Sequence, residues 1–583
     1  MPRQAWGVTP LIKWRASPDN LGEWLDPCAA TNPGPTCPHP EQPYFEYWEG
    51  PLPDEYPDIE PPKTSELECL NLSLTVPRSC VEDPNRKVPV LVFIHGGAFV
   101  GGSHAIQLSG REVFDGTDLV RHSIKLGKDI IVVGINYRVG PLGFLASTQL
   151  ADYNRKFGED ICNYGLHDQR RALEWLSEHL AGFGGDPDNI TIQGTSAGAS
   201  SCHYQSIFPE RKFKRAILAS GTFFGLGALP LDRHQAIFDR LSGIVAPGVS
   251  SDDALQSLLL CNSRELTHST SWTVCHPLID GSHVSRSLLS GDSYVDGPPE
   301  IMVGFAAFED ELADLFINDP LTMKPKSDAQ ILESFKSIIM ANQVIATPET
   351  FPFDKPDVLQ SYDISSAVER PSNNLKHWSR LIGNLLFDIT SVYTATTFDK
   401  HGGDARVWLY RYDATNTYPK SHSYRVAHHG VNDLFLFNVA PEHIPLEDQP
   451  SWNATVERTQ RVWIDFANGE SPWTPWRHES SVETIGAAGP IYTFADNGQS
   501  RLYDTMEERT EMYGYWELTE ISVIYICTTR TIFKIRKHVH ELDSDYNLRS
   551  VTSSEFTTYN GAESTRRIGG DVSLSIHTRV VYQ

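Results

Sequence analysis

Two short glycine-rich runs carry the residues in this chain best suited to covalent chemistry. The first is Gly194-Thr195-Ser196-Ala197-Gly198, with the spacing G-x-S-x-G, directly after the apolar stretch Asn189–Gln193. A serine between small residues, where a strand gives way to a helix, can sit on a turn so tight that its hydroxyl stands clear of the backbone. Such a hydroxyl can attack an acyl carbon once a base takes its proton. The second run is His95-Gly96-Gly97-Ala98-Phe99, directly after the apolar Val88–Ile94. Glycines there let backbone N–H groups converge on one point, which is what a carbonyl oxygen needs as it becomes an oxyanion. Either run alone also fits a plain tight turn. A strand and His-Gly-Gly loop about 100 residues ahead of a strand and G-x-S-x-G turn is a much more specific pairing.

The elements around these runs must hold them in register. Val88–Ile94 and Asp129–Asn136 are continuous runs rich in β-branched residues, as expected of parallel strands buried on both faces. Asn189–Gln193, Phe213–Leu218, Ile301–Phe305 and Val407–Tyr412 read as further strands. Leu166, Leu173, Leu176 and Leu180, with Trp175, recur at helical spacing and predict an amphipathic helix over Leu166–Leu180. Strands separated by helical stretches imply a mostly parallel α/β sheet with helices on both faces. Residues 17–66 are rich in proline, acids and aromatics and read as surface loops. From about Ile521 the sequence turns Ser/Thr-rich, loses the α/β rhythm and carries a basic patch at Lys534, Arg536 and Lys537. The expected division is therefore a domain over 1–519 and a C-terminal extension of uncertain order over 520–583.

A formal charge of −25 argues against nucleic acid or an anionic membrane surface as a partner, since both require a basic face. No apolar run approaches the roughly 18 residues of a membrane span. The opening MPRQAWGVTPLIKW has neither a long apolar core nor a small-residue cleavage site, so no secretory signal is expected from it. The nine cysteines are an odd number, so at least one stays single if the rest pair. Asn71, Asn189 and Asn453 head glycosylation sequons, which matter only in a secreted chain.

The run from Cys162 to Ala199 (CNYGLHDQRRALEWLSEHLAGFGGDPDNITIQGTSAGA) resembles the signature region of type-B carboxylesterases. That group holds esterases, lipases and non-catalytic, neuroligin-like binding proteins. Glu68-Cys69-Leu70-Asn71-Leu72 is similar to the family's second signature, and Asn136-Tyr137-Arg138-Val139-Gly140 and the HGGAF loop also fit. The resemblance spans residues 20–519 and implies an α/β-hydrolase fold that cleaves carboxylic esters of small molecules. It implies a triad in the order Ser, Glu, His. His428-His429-Gly430-Val431-Asn432-Asp433-Leu434 resembles the histidine loop, whose catalytic His directly precedes Gly, and so selects His429. The family places its acid five residues beyond the glycine of Ile301-Met302-Val303-Gly304, which is Glu309; Asp310 and Glu311 are the alternatives, as parts of a solvated acidic turn. Ser196 would then be the nucleophile, His429 its base and Glu309 the orienting acid. The N–H groups of Gly97, Ala98 and Ala197 would form the oxyanion hole, with no metal or organic cofactor called for. The resemblance also implies a buried Arg138–Asp168 ion pair and disulfides Cys37–Cys69 and Cys261–Cys275. Those pairings suit an oxidising compartment, contrary to the absent signal.

The chain departs from the family pattern in three places. Thr195 stands where the family usually has Glu, which removes a negative charge beside the nucleophile. No Trp lies between Pro51 and Glu68, so the aromatic platform of a choline site is missing and no preference for cationic esters is expected. The usual opening strands are not found before Arg15, so the N-terminal part reads as truncated. Between Cys37 and Cys69, where lipases of the family carry a lid, eight prolines and nine acidic residues face one Lys. That makes a poor amphipathic helix and favours short, soluble esters over a lipase, with Tyr44, Phe45, Tyr47 and Trp48 available to line a gorge. A silent binding protein is the remaining alternative, and an intact Ser, Glu and His set speaks against it.

Overall fold

Alternation along the strands dictates the architecture. In Val88–Ile94, Val90, Val92 and Ile94 pack into one apolar cluster while Leu91 and Phe93 pack into another. Val407–Tyr412 divides the same way, Val407 and Leu409 against Trp408, Tyr410 and Tyr412. Successive side chains of a strand point to opposite faces, so strands apolar at every position need cover on both. The computed structural model describes residues 33–40, 63–83, 85–108, 111–157, 160–270, 276–285, 297–310, 326–341, 359–360, 362–364, 375–401, 406–477, 491–503 and 576–581. Ten of its strands form one sheet. They are β1 (Leu72–Pro77), β2 (Val88–Ile94), β3 (Ile131–Ile135), β4 (Gly185–Thr195), β5 (Arg215–Ala219), β6 (Glu300–Ala306), β7 (Val407–Tyr412), β8 (Ile491–Phe494), β9 (Ser500–Tyr503) and β10 (Ile576–Val581). Across the sheet they run β9-β8-β7-β6-β5-β4-β2-β3-β1-β10. All neighbours are parallel except β8 with β9 and β1 with β3.

One face is covered by α1 (Tyr164–His179), α2 (Ala197–Ile207), α3 (Leu375–Gly383) and α4 (Ile389–His401), which supply Leu166, Trp175, Tyr204, Trp378 and Val392 to the first cluster. The other takes Leu434 and Phe435 from α5 (Val431–Leu436) and Trp452, Trp463 and Phe466 from α6 (Gln449–Ala467). This is the mostly parallel α/β-hydrolase architecture expected. Boundaries shift for local reasons. The helix expected from Leu166 begins at Tyr164, because Asn163 takes a left-handed conformation (φ 60°) ahead of it. Pro89 has no N–H for the ladder, and the β2–β4 register shifts between Val88 and Val90.

Four strands of the sheet lie where none was expected: the β8–β9 hairpin at one edge, and β1 and β10 at the other. Leu72–Pro77 mixes Ser73 and Thr75 with apolar residues and packs antiparallel to β3. Ile576–Val581 lies inside the expected extension and pairs in parallel with all six residues of β1, Leu72 with Ile576 through Pro77 with Val581.

The expected ion pair is present. Arg138 Nε and Nη2 each lie 2.7 Å from an Asp168 carboxylate oxygen, and Arg138 N–H donates to Oδ2 at 3.0 Å. Asp168 is fully buried, so the fork-to-fork geometry and the backbone donor together offset its desolvation and fasten the end of β3 to α1. Cys37 and Cys69 also meet, both buried, but as thiols joined by a hydrogen bond; burial, then the Cys69 contact, push the Cys37 thiol well above its usual range. Cys275 lies outside the described residues, and with it the Cys261 pairing.

Candidate active site

Ser196 joins β4 to α2 with φ 61° and ψ −126°, a conformation costly to any residue with a side chain. The surroundings enforce it. Ser196 N–H donates to Ala219 O at 2.9 Å, and Ser200 N–H donates back to Ser196 O at 2.9 Å. The turn is so close that a Cβ on Gly198 would stand 2.0 Å from Ile94 O, and one on Gly194 2.3 Å from the Gly198 carbonyl carbon. Ser196 itself remains partly exposed among buried neighbours.

The loop after β2 faces this turn. Gly97, Ala98 and Phe99 all have positive φ, at 112°, 54° and 59°. Val100 and Gly101 N–H close the loop on Gly97 O at 2.9 and 3.1 Å. A Cβ on Gly97 would meet Gly101 O at 2.2 Å, so this position admits only glycine. Among the described residues, no hydrogen bond takes the N–H of Gly97, Ala98 or Ala197. Ala197 opens α2, where first-turn N–H groups have no intrahelical acceptor. His95 is structural: its ring stacks on Tyr137 at 4.3 Å, Nδ1 donates to Gly96 O, and burial lowers its pKa to about 3.

Glu309 follows β6, and His429 lies in the loop ahead of α5. His429 Nδ1 donates to Glu309 Oε2 at 2.6 Å, while Glu309 Oε1 accepts from Ala306 N–H at 2.7 Å. Both side chains are buried. The two loops are joined beside the pair, where Phe308 N–H donates to Ala427 O at 2.9 Å. The Phe387 ring, from a π-helical turn over Asn384–Asp388, lies 4.5 Å from the imidazole. With Nδ1 committed to the carboxylate, Nε2 carries the lone pair, and it has no hydrogen-bond partner. Ser196 Oγ and Nε2 are thus not hydrogen-bonded here, as is common in a free enzyme, where such contacts tighten on substrate. Asp310, half-buried, is the neighbour of the acid that touches His429, and Glu311 lies outside the described residues. His428 is fully engaged: Nδ1 donates to His429 O at 2.7 Å, Asn416 Nδ2 donates to Nε2 at 3.0 Å, and burial lowers its pKa to about 3.

All these side chains leave the sheet beyond the carboxyl ends of β2, β4, β6 and β7, the side on which parallel α/β sheets take ligands. Sequence reasoning missed one group there. Thr195 Oγ1 donates to Asp433 Oδ1 at 2.8 Å, and Asn432 Nδ2 donates to Asp433 Oδ1 at 2.9 Å and to Thr195 Oγ1 at 3.2 Å. A carboxyl therefore does stand beside the serine turn, although Thr195 supplies none. Burial raises the Asp433 pKa to about 7, with the Thr195 and Asn432 hydrogen bonds acting the other way. Tyr44, Phe45, Tyr47 and Trp48 lie outside the described residues.

This geometry has close relatives. The chain is 28% identical over 508 residues to the para-nitrobenzyl esterase of Bacillus subtilis, covering 82% of this chain and 88% of that one. It is 39% identical over 178 residues to lipase 2 of Geotrichum candidum, a match to 29% of this chain and 28% of the lipase. The solved structure of a PNB esterase superposes with a TM-score of 0.59 at 21% identity, over 83% of this chain and 88% of that chain, a likeness of fold. A Geobacillus stearothermophilus carboxylesterase superposes with a TM-score of 0.55 at 26% identity, over 73% and 82%. The model of the carboxylesterase family matches residues 12–505, which take in the serine turn, the glycine loop and the Glu309–His429 pair, and the chain belongs to that family of carboxylic ester hydrolases.

Proposed function

We propose that this chain hydrolyses carboxylic esters by acyl transfer to Ser196, with His429 as base and Glu309 as the acid that orients it. The observation that carries the reading is the buried 2.6 Å Glu309–His429 pair, which leaves Nε2 unengaged. Ser196 Oγ attacks the ester carbonyl as Nε2 takes its proton, and the tetrahedral oxyanion accepts from the N–H groups of Gly97, Ala98 and Ala197. Each such donor lowers the barrier by about 3–4 kcal/mol. Collapse expels the alcohol, which leaves with the proton from Nε2. Water then repeats the sequence on the acyl-enzyme, giving the acid and restoring Ser196. Nothing in this sequence of steps requires a metal or organic cofactor.

Turnover of p-nitrophenyl acetate tests the proposal. Ser196→Ala deletes one hydroxyl, so the protein should fold normally and lose activity by ~10⁴-fold or more. Activity within tenfold of the parent would remove Ser196 from the mechanism, and an inactive parent would favour a silent binding protein. A series of p-nitrophenyl esters from acetate to palmitate separates short, soluble substrates, the preference we infer, from the long acyl chains of a lipase.

A further inference from the structure

Away from the serine turn, three side chains able to bind a metal converge from two distant stretches of chain. Asp160 and His167 flank the start of α1, and His283 lies on the loop over residues 276–285 that leads toward β6. One ligand atom from each lies within 4.8 Å of the other two. His167 Nε2 and Asp160 Oδ2 are 3.6 Å apart, and the two imidazoles meet edge to face, centroids 4.9 Å apart at 85°. We propose that Asp160, His167 and His283 form a zinc site, with water completing a tetrahedron.

The spacing suits that ion. Zinc holds nitrogen and oxygen ligands at about 2.0–2.1 Å, which places tetrahedral ligand atoms roughly 3.3 Å from one another. The His167–Asp160 pair, 3.6 Å apart, is already near that edge, and His283 must close by at most about 1.5 Å on the others. Two imidazoles and one carboxylate favour zinc and similar late first-row ions over Ca²⁺ or Mg²⁺, which take oxygen ligands.

The surroundings are built as a ligand shell is built. Ser282 Oγ donates to Asp280 Oδ1 at 3.1 Å, so its lone pairs are left to accept from His283 Nδ1, 3.4 Å away. That relay fixes the tautomer that leaves Nε2 as the ligand atom. Asp280 is in turn held by the N–H groups of Ser282 (2.7 Å) and Val284 (3.0 Å) and by Asn163 Nδ2 (2.9 Å). Asn163 also exchanges hydrogen bonds with Leu278, donating to its O at 3.0 Å and accepting from its N–H at 2.7 Å, which pins the loop to the start of α1. The His167 side chain is itself buried, so its ring is held in place at the start of α1. The ion would fasten the loop before β6 to α1. It takes no part in acyl transfer.

The test uses the full, untagged chain after EDTA treatment and dialysis, with Zn²⁺ alone as probe. Competition against a chromophoric chelator should report one Zn²⁺ per chain bound at micromolar affinity or tighter. Tm should rise by a few degrees at saturating Zn²⁺, with no rise in Ca²⁺ or Mg²⁺. Co²⁺ should show the visible absorption of a tetrahedral site. His283→Gln, at a half-buried position, should abolish these responses and leave p-nitrophenyl acetate turnover unchanged, and Asp160→Asn should weaken binding at least tenfold. His167→Ala removes a buried ring, so the decision rests on His283→Gln if that variant fails to fold. Absence of zinc binding by the parent, or unchanged binding by His283→Gln, would overturn the assignment.

Discussion

Thr195 Oγ1 donates a 2.8 Å hydrogen bond to Asp433 Oδ1, and so ties the residue before Ser196 to the first turn of α5, just after the loop that carries the imidazole. Ser196 and His429 arrive on separate strands, and nothing in the local geometry of either sets the distance between them. Two buried hydrogen bonds span that gap, from Thr195 to Asp433 and from Asn432 to Thr195, and a third, from Asn432 to Asp433, braces them. Thr195→Val keeps the shape and removes the hydroxyl. It should lower kcat about tenfold with little change in KM, since the misalignment falls on the reacting atoms. A cycle with Asp433→Asn should show coupling of about 0.5–3 kcal/mol in kcat/KM. Strictly additive effects would mean that the contact does not align the site.

Asp433 also makes stability depend on pH. Its pKa is raised to about 7 in the folded chain, against roughly 3.9 for an unfolded aspartate. The folded state therefore holds the proton more tightly. The stabilisation is complete below about pH 4, declines as pH rises through 7 and is gone above it. A shift of that size corresponds to a few kcal/mol, order of magnitude. Asp433→Asn stays neutral, so its stability relative to the parent should improve from pH 5 to pH 8 in urea unfolding. A gap that is constant with pH would place the titration elsewhere.

Of the neighbouring acids Glu309 and Asp310, it is Glu309 whose carboxylate accepts from the imidazole, at 2.6 Å. Glu309→Gln should cut kcat by about 10³–10⁴, because an amide that donates toward Nδ1 favours the wrong tautomer. Asp310→Asn should stay within a fewfold of the parent. Equal losses in the two variants would shift the acid from Glu309.

The division at residue 519 concerns the sheet edge. We propose that 1–519 holds the catalytic machinery and that the tail contributes one edge strand, Ile576–Val581 on Leu72–Pro77. An edge strand left unpaired exposes a row of backbone donors and acceptors. A chain ending at Thr519 should keep kcat/KM while its Tm falls by a few degrees. Loss of turnover would place part of the tail in the active fold.

How legible all this was depends on the range of each interaction. The serine turn and the glycine loop were readable because contact with backbone permits only glycine at 97, 194 and 198, and a steric rule leaves its mark in the residues themselves. The two-faced strands were readable for a similar reason, since burial on both sides demands apolar residues throughout. His429 was separated from His428 only through the family's motif, and the structure supplies the physical difference: one ring is saturated with partners, and the other keeps a nitrogen open. The Thr195–Asp433 contact left no trace, because a hydroxyl and a carboxyl far apart in sequence carry no pattern. Strand Leu72–Pro77 was hidden by its serine and threonine, and Ile576–Val581 by its isolation from the α/β rhythm.

The contact between Gly198 and Ile94 O bears on how such an enzyme can change. Where a Cβ would stand 2.0 Å from a carbonyl oxygen, no mutation short of rebuilding two strands can alter the distance between the nucleophile turn and the loop after β2. In the mechanism we propose, attack and charge stabilisation are locked to each other by main chain, beyond the reach of ordinary side-chain variation. New acyl or alcohol preferences must therefore come from side chains that approach this fixed frame from outside, such as Phe387 over the imidazole, which can be exchanged without moving the atoms that react.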